Sequence, residues 1–253
     1  MLERGKNTND KELVAEPQGG YHEMRDRPSG LFRSCAHMVM NVDPVLRQQL
    51  ICIAVIHKHE QAVPLAEALL AGGLHVMEVT FRTADAAESI RQIRQRFPEM
   101  QVGAGTLLTA DQVQHAVDSG ALFGVSPGLS ESVLYAALHH RLAFFPGVAT
   151  ATEIGRALEL GCKHLKFFPA EAAGGAAMIK ALAAPFAHTG VSFVPTGGIT
   201  AATLPNYLAI PQVAAIGGSW MADQILLTEK AWGKVTSLTA EAIKIIAHAR
   251  AHA

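Results

Sequence analysis

Cysteine is scarce. The 253 residues hold three, Cys35, Cys52 and Cys162, with no CxxC pair. That excludes a disulfide framework or a zinc ribbon and fits a reducing compartment, the cytoplasm. The twelve histidines include no HExxH, so neither a metal nor a cofactor is expected. No apolar run approaches the roughly 18 residues of a membrane helix, and the N-terminus is too charged for a secretory signal. Excess charge is missing too: the formal net charge is −1, which argues against a nucleic-acid surface and makes any anion site local. With 49% hydrophobic and 17% charged residues, the chain suits one large, well-cored domain.

Residues 1–40 are rich in charge, Gly, Asn and Pro without a sustained period, and read as a disordered or loosely attached leader. Residues 41–253 read as a single domain. Asp43-Pro44 has the form of an N-cap with proline at the first helical position. Short apolar runs then recur near 51, 74, 100, 121, 142, 163, 191 and 212, with helical periodicity between them. Ala62, Leu65, Ala66, Leu69 and Leu70 share one helix face, as do Ala86, Ile90, Ile93 and Phe97. Thr109…Gln112 and Thr150…Glu153 have capping-box spacing, and Gly72, Gly73, Gly120 and Gly161 stand where helices should stop. Eight such units imply a parallel (β/α)8 TIM barrel with a C-terminal helix over residues 234–250, on the barrel exterior or on another subunit. A doubly wound open sheet is the alternative, although no GxGxxG follows the first strand.

In such a barrel chemistry gathers where the strands end. Lys166 stands out there, in the apolar segment His164-Leu165-Lys166-Phe167-Phe168-Pro169-Ala170-Glu171. Burial of an amine disfavours its charged form, which is how a Schiff-base lysine is made. The second strand ends Met77-Glu78-Val79-Thr80-Phe81-Arg82-Thr83, with Glu78, Thr80 and Arg82 of one parity. If the apolar set packs on helices, Glu78 and Lys166 both point into the mouth. They form either a structural ion pair or an acid/base and nucleophile pair. Arg82 is shaped for bidentate capture of a carboxylate. Gly197-Gly198 and Gly217-Gly218-Ser219 follow strands seven and eight, where barrels often hold phosphate on backbone N–H groups. His57-Lys58-His59 follows strand one and reads as a solvated loop near the mouth.

Taken together, Glu78-Val79-Thr80-Phe81-Arg82-Thr83, Gly103-Ala104-Gly105-Thr106, Ser126-Pro127-Gly128, Lys166-Phe167-Phe168-Pro169-Ala170-Glu171, Pro195-Thr196-Gly197-Gly198-Ile199 and Gly217-Gly218-Ser219-Trp220 resemble the 2-keto-3-deoxy-6-phosphogluconate (KDPG) aldolases. The resemblance covers roughly residues 45–225. It implies a metal-independent class I aldolase that cleaves KDPG to pyruvate and glyceraldehyde 3-phosphate, the last step of the Entner–Doudoroff pathway. It also implies a homotrimer, and in some members cleavage of 4-hydroxy-2-oxoglutarate to pyruvate and glyoxylate. By position, Lys166 is then the Schiff-base lysine and Glu78 the general acid/base. Arg82 and Thr106 hold the pyruvate-derived carboxylate, and Pro127 and Phe168 wall the pocket. Gly197, Gly198, Gly218 and Ser219 hold the phosphate. Thr196 favours the gluconate over the galactonate substrate, since related phosphogalactonate aldolases tend to have valine there. Two other readings use the same residues: a phosphosugar isomerase or epimerase with Glu78 as base, and a non-catalytic phosphometabolite-binding barrel with a structural Lys166–Glu78 pair.

Overall fold

The computed structural model describes Met1 and residues 41–251, so the expected leader lies outside the described residues except for Met1. Its first element is a short helix, α1 (Asp43–Leu46). Asp43 is not its N-cap: Val42 holds that position, and the Asp43 amide donates to Asn41 Oδ1 at 3.1 Å. The helix thus starts one residue earlier than the Asp-Pro pair suggests, because an asparagine upstream supplies the acceptor.

Strand and helix then alternate. The strands are β1 (Leu50–Ala54), β2 (Val76–Thr80), β3 (Gln101–Gly105), β4 (Phe123–Val125), β5 (Ala143–Phe145), β6 (Gly147–Val148), β7 (His164–Phe167), β8 (Ser192–Pro195) and β9 (Ile216–Gly218). The helices between and after them are α2 (Ala62–Ala71), α3 (Ala86–Arg96), α4 (Ala110–Asp118), α5 (Glu131–His139), α6 (Ala151–Glu159), α7 (Gly175–Ala183), α8 (Leu204–Leu208), α9 (Gln224–Thr228) and α10 (Trp232–Ala251). The expected caps are in place. Thr109 Oγ1 accepts from the Gln112 amide at 3.2 Å, and Thr150 with Glu153 forms a full capping box. The two apolar stripes read from sequence are core: Leu65, Ala66 and Leu69 on α2, and Ile90 and Ile93 on α3, are fully buried.

Among the described residues, all strand pairings are parallel. One sheet runs β5-β4-β3-β2-β1-β9 and a second runs β6-β7-β8. Among the described residues the eight apolar runs therefore give nine strands, because the fifth is cut at Pro146. Proline has no N–H to donate, so the ladder breaks there. Its carbonyl still accepts from the Lys166 amide at 2.9 Å, and pairing resumes with Gly147 opposite Lys166. At the other edge of the second sheet, parallel bridges join Phe193 to Val213 and Thr196 to Gly217. The result is an α/β fold on a curled parallel sheet.

The last helix, α10, packs on its own chain. Val235, Thr239, Ala242 and Ile246 form its buried stripe at helical spacing. Thr236 Oγ1 donates to the Ala68 carbonyl at 3.0 Å, which seats α10 against the end of α2. Among the described residues, no helix is long and apolar enough to cross a membrane.

Candidate active site

Strand alternation places the chemistry. Every residue of β2 is buried, but the residues divide between its two faces. Glu78, Thr80 and, just beyond the strand, Arg82 line one cavity, and Lys166 and Phe168 reach it from β7. The cavity has a volume of about 280 Å³. Thr106 and Pro127 wall it from the ends of β3 and β4, Thr196, Gly197 and Gly198 from β8, and Gly217 and Ser219 from β9. Residues separated by up to 171 positions in sequence thus meet at the carboxyl ends of the strands, Ile53 and Gln224 being the extremes.

At its base, Lys166 Nζ lies 3.3 Å from Glu78 Oε1, with side chains only 7% and 3% exposed. That is within reach of direct proton exchange. The Phe168 ring covers the amine, with Nζ 5.5 Å from the ring centroid. The carboxylate fits because β3 passes it with a glycine: a Cβ on Gly105 would lie 1.9 Å from Glu78 Oε1. Cys52, on the neighbouring strand, is not a second nucleophile. Burial, helped by the charge of Glu78, pushes its thiol up to about 12.

Arg82 makes no ion pair or hydrogen bond among the described residues, although it lines the cavity. A guanidinium without a protein partner is placed to receive an anion from outside the chain. The backbone around it is pinned. Thr83 Oγ1 donates to the Ile56 carbonyl at 2.6 Å, and Asp85 accepts from the His59 amide at 2.8 Å, with His59 Nδ1 3.1 Å away. The amide and ring of His59 hold the Asp85 carboxyl below its usual range. Of His57-Lys58-His59, none lines the cavity, and the segment acts through this clasp instead. Thr106 stands opposite at φ 58°. A β-branched residue in the left-handed region is strained, and such strain gathers at functional sites.

The far wall is backbone. Gly197 and Gly198 have φ of 105° and 79°, a run of left-handed conformation that favours glycine. The loop is braced from below. The Ala170 and Glu171 amides donate to the Thr196 and Gly197 carbonyls at 2.7 and 3.0 Å, and Tyr207 Oη donates to Glu171 Oε1 at 2.5 Å. Burial and that carboxylate push the Tyr207 phenol well up. From the last strand, Gly217 and Ser219 face the cavity but Gly218 does not line it. A Cβ on Gly218 would lie 1.9 Å from the Trp220 ring, so that glycine makes room for the indole.

Several lining residues lie outside those that sequence reading assigned to the site: Ile53 from β1 and Val55 just after it, Thr80, and Ala222, Asp223 and Gln224 before and within α9. Gln224 Nε2 donates to the Val55 carbonyl at 2.6 Å and ties this segment to β1. Thr80 had a signal, its shared parity with Glu78 and Arg82. Asp223 and Gln224 had none, because they follow a short turn rather than a strand.

A buried amine lies within proton-transfer distance of a carboxylate, at the base of a small cavity on a parallel α/β sheet, the arrangement an amine-based α/β lyase would use. The chain belongs to the KDPG and KHG aldolase family, whose model matches residues 42–238. It is 46% identical over 209 residues to the 2-dehydro-3-deoxy-phosphogluconate aldolase of Treponema pallidum, covering 83% of this chain and 99% of that one. Among solved structures, the KDPG aldolase of Legionella pneumophila, with pyruvate captured as a covalent carbinolamine, superposes with a TM-score of 0.73. It is 41% identical and covers 76% of this chain and 92% of that one. The Zymomonas mobilis 2-keto-3-deoxy-6-phosphogluconate aldolase with 3-phosphoglycerate also gives a TM-score of 0.73. It is 40% identical, with 81% and 96% covered.

Proposed function

We propose that the chain is a class I aldolase that cleaves 2-keto-3-deoxy-6-phosphogluconate to pyruvate and glyceraldehyde 3-phosphate. It would also split 4-hydroxy-2-oxoglutarate to pyruvate and glyoxylate. The observation that carries this is the buried Lys166–Glu78 pair, 3.3 Å apart and facing the same cavity as the unpartnered Arg82. The Legionella relative, which forms a carbinolamine with pyruvate, supports an amine-based route. The Zymomonas relative with 3-phosphoglycerate supports a phosphate end to the cavity.

The substrate carboxylate docks on Arg82, beside Thr106, and its phosphate on the backbone of Gly197 and Gly198 with Ser219. Gly218 contributes to that wall by letting Trp220 pack beneath it. Anchoring both ends holds C2 at Lys166 and removes much of the entropic cost of the encounter. Neutral Lys166 adds to C2 and the oxo oxygen takes a proton, giving a carbinolamine. The C2–O bond then breaks with water as leaving group, and the nitrogen lone pair forms a protonated imine. Glu78 takes the C4 hydroxyl proton. The C3–C4 electron pair flows into the imine, leaving an enamine on Lys166 and an aldehyde at C4. Glu78 returns its proton to C3, and water hydrolyses the imine to pyruvate and free Lys166. Pro127 and Phe168 confine the three-carbon fragment, and Thr196 meets the departing aldehyde.

The same proposal includes a closed (β/α)8 barrel over residues 41–253. The Lys166–Pro146 and Thr196–Gly217 backbone contacts at the two seams support closure, as does one cavity shared by strands of both sheets. A cytoplasmic homotrimer is the assembly the family resemblance implies; light scattering tests it.

The chemistry is tested by borohydride reduction in the presence of pyruvate, followed by intact mass and peptide mapping. The expected product is one reduced adduct, on Lys166, absent in Lys166→Met. No adduct on folded protein in excess pyruvate points instead to proton-transfer chemistry without a covalent step.

A further inference from the structure

Thr80 is 3% exposed and lines the cavity, yet its hydroxyl oxygen is sealed from solvent and has no hydrogen-bond partner among the described residues. A buried hydroxyl left unbonded is destabilising, and a valine of the same shape would remove that cost. The surroundings explain why a hydroxyl stands there. Thr80 lies on one strand face between Glu78 and Arg82, two residues from each, so it sits between the proton-handling carboxylate and the anion-binding guanidinium. A 2-oxo acid with its carboxylate on Arg82 and its C2 at Lys166 spans that interval. Its C2 carries an oxygen that can hydrogen-bond to a hydroxyl on that strand face. A turn about χ1 from one staggered well to another carries the hydroxyl into the place now held by the methyl group or the Cβ hydrogen, so its direction can change without backbone movement.

We infer that Thr80 is a substrate-contacting residue whose hydroxyl is satisfied only in the loaded site, by the C2 oxygen. Resting on the aldolase reading, this assigns it to one step. As the carbinolamine forms, the C2 oxygen becomes a hydroxyl held by Thr80 Oγ1. As the carbinolamine collapses, that hydroxyl takes the proton of the Glu78 carboxylic acid and leaves as water, while the nitrogen lone pair closes the imine. Thr80 neither gains nor loses a proton over the step. It orients the leaving oxygen toward Glu78.

The test is Thr80→Val, with Thr80→Ser as the conservative control, followed by the rate of imine formation with pyruvate, trapped by borohydride at timed intervals. Thr80→Val is expected to lower the saturating rate about tenfold, the scale of one neutral hydrogen bond, with unchanged half-saturation by pyruvate. Its Tm should equal or exceed that of the wild type, and Thr80→Ser should restore the rate. A wild-type rate in Thr80→Val overturns the inference. So does a raised pyruvate half-saturation at an unchanged saturating rate, which would put the hydroxyl on the carboxylate. So does a lower Tm, which would show the hydroxyl already bonded in the free protein. If the wild type itself forms no adduct, the aldolase reading fails, and this assignment with it.

Discussion

At the scale of single residues, the site depends as much on what is left out as on what is present. Lys166 and Glu78 can meet only because β3 offers Gly105 at the point of closest approach. An alanine there would put a methyl carbon where Glu78 Oε1 now stands, and the neighbouring strand cannot retreat without breaking its ladder. Gly105→Ala is therefore expected to push the carboxylate away from the amine. Turnover should fall by about 10²–10⁴, as for Glu78→Gln, because both remove general acid–base help. Lys166 survives in both variants, so the reduced pyruvate adduct should still form, though slowly. Steady-state kinetics alongside borohydride trapping checks this, and normal turnover in Gly105→Ala would remove Glu78 from the mechanism. The glycine was visible in sequence as part of Gly103-Ala104-Gly105-Thr106, but its purpose was not. Clearance for a side chain 27 positions away exists only once β2 and β3 are paired in register, with Glu78 opposite Gly103 and Thr80 opposite Gly105.

At the scale of elements, local signals that act within a few residues were readable and those that need a tertiary partner were not. The capping box at Thr150 is of the first kind. Its hydroxyl accepts from the Glu153 amide at 3.3 Å while Glu153 Oε2 accepts from the Thr150 amide at 2.9 Å. Thr150→Ala removes half of that exchange at an exposed helix start that does not line the cavity. It should cost about 1 kcal/mol, seen as a fall in Tm of about 2–4 °C for a chain of this size. Turnover should not change, and a loss of activity would show that α6 positions the site. Strand alternation was equally legible: it turned Glu78, Arg82 and Lys166 toward one mouth, and all three line the cavity. The division of the fifth strand at Pro146 is of the second kind: the proline was plain, but whether it ended the strand or interrupted it depended on Lys166 reaching its carbonyl. Gly217-Gly218-Ser219 shows the same limit. Parity on a three-residue strand cannot tell which glycine faces the cavity, and the Trp220 ring decides it.

At the scale of the whole molecule, stability and chemistry occupy opposite ends of the strands. The cavity lies at the carboxyl ends. His164 opens β7 at the other end, where its Nδ1 lies 2.8 Å from Ser192 Oγ on β8. Burial holds the imidazole below its ordinary value; the Asp43 charge opposes that shift and Lys163 adds to it. The sign of the linkage follows. A histidine depressed in the folded state stays neutral while its unfolded counterpart protonates, so the unfolded chain binds more protons in the interval between the two values. The stability it contributes is complete above the ordinary histidine value near 6.5 and is lost as pH falls from there toward the lower folded value. The Tm of the wild type should therefore drop through that window, and His164→Gln, which cannot titrate, should drop less. Because His164 does not line the cavity and is held by Ser192, the pH dependence of kcat should be the same in both proteins. Thermal melts across the window, beside pH–rate profiles of the same two proteins, separate the two ends of the molecule. A matching change in the rate profile would mean that the His164–Ser192 seam carries strain up β7 to Lys166, and the two ends would then have to be treated as one mechanical unit.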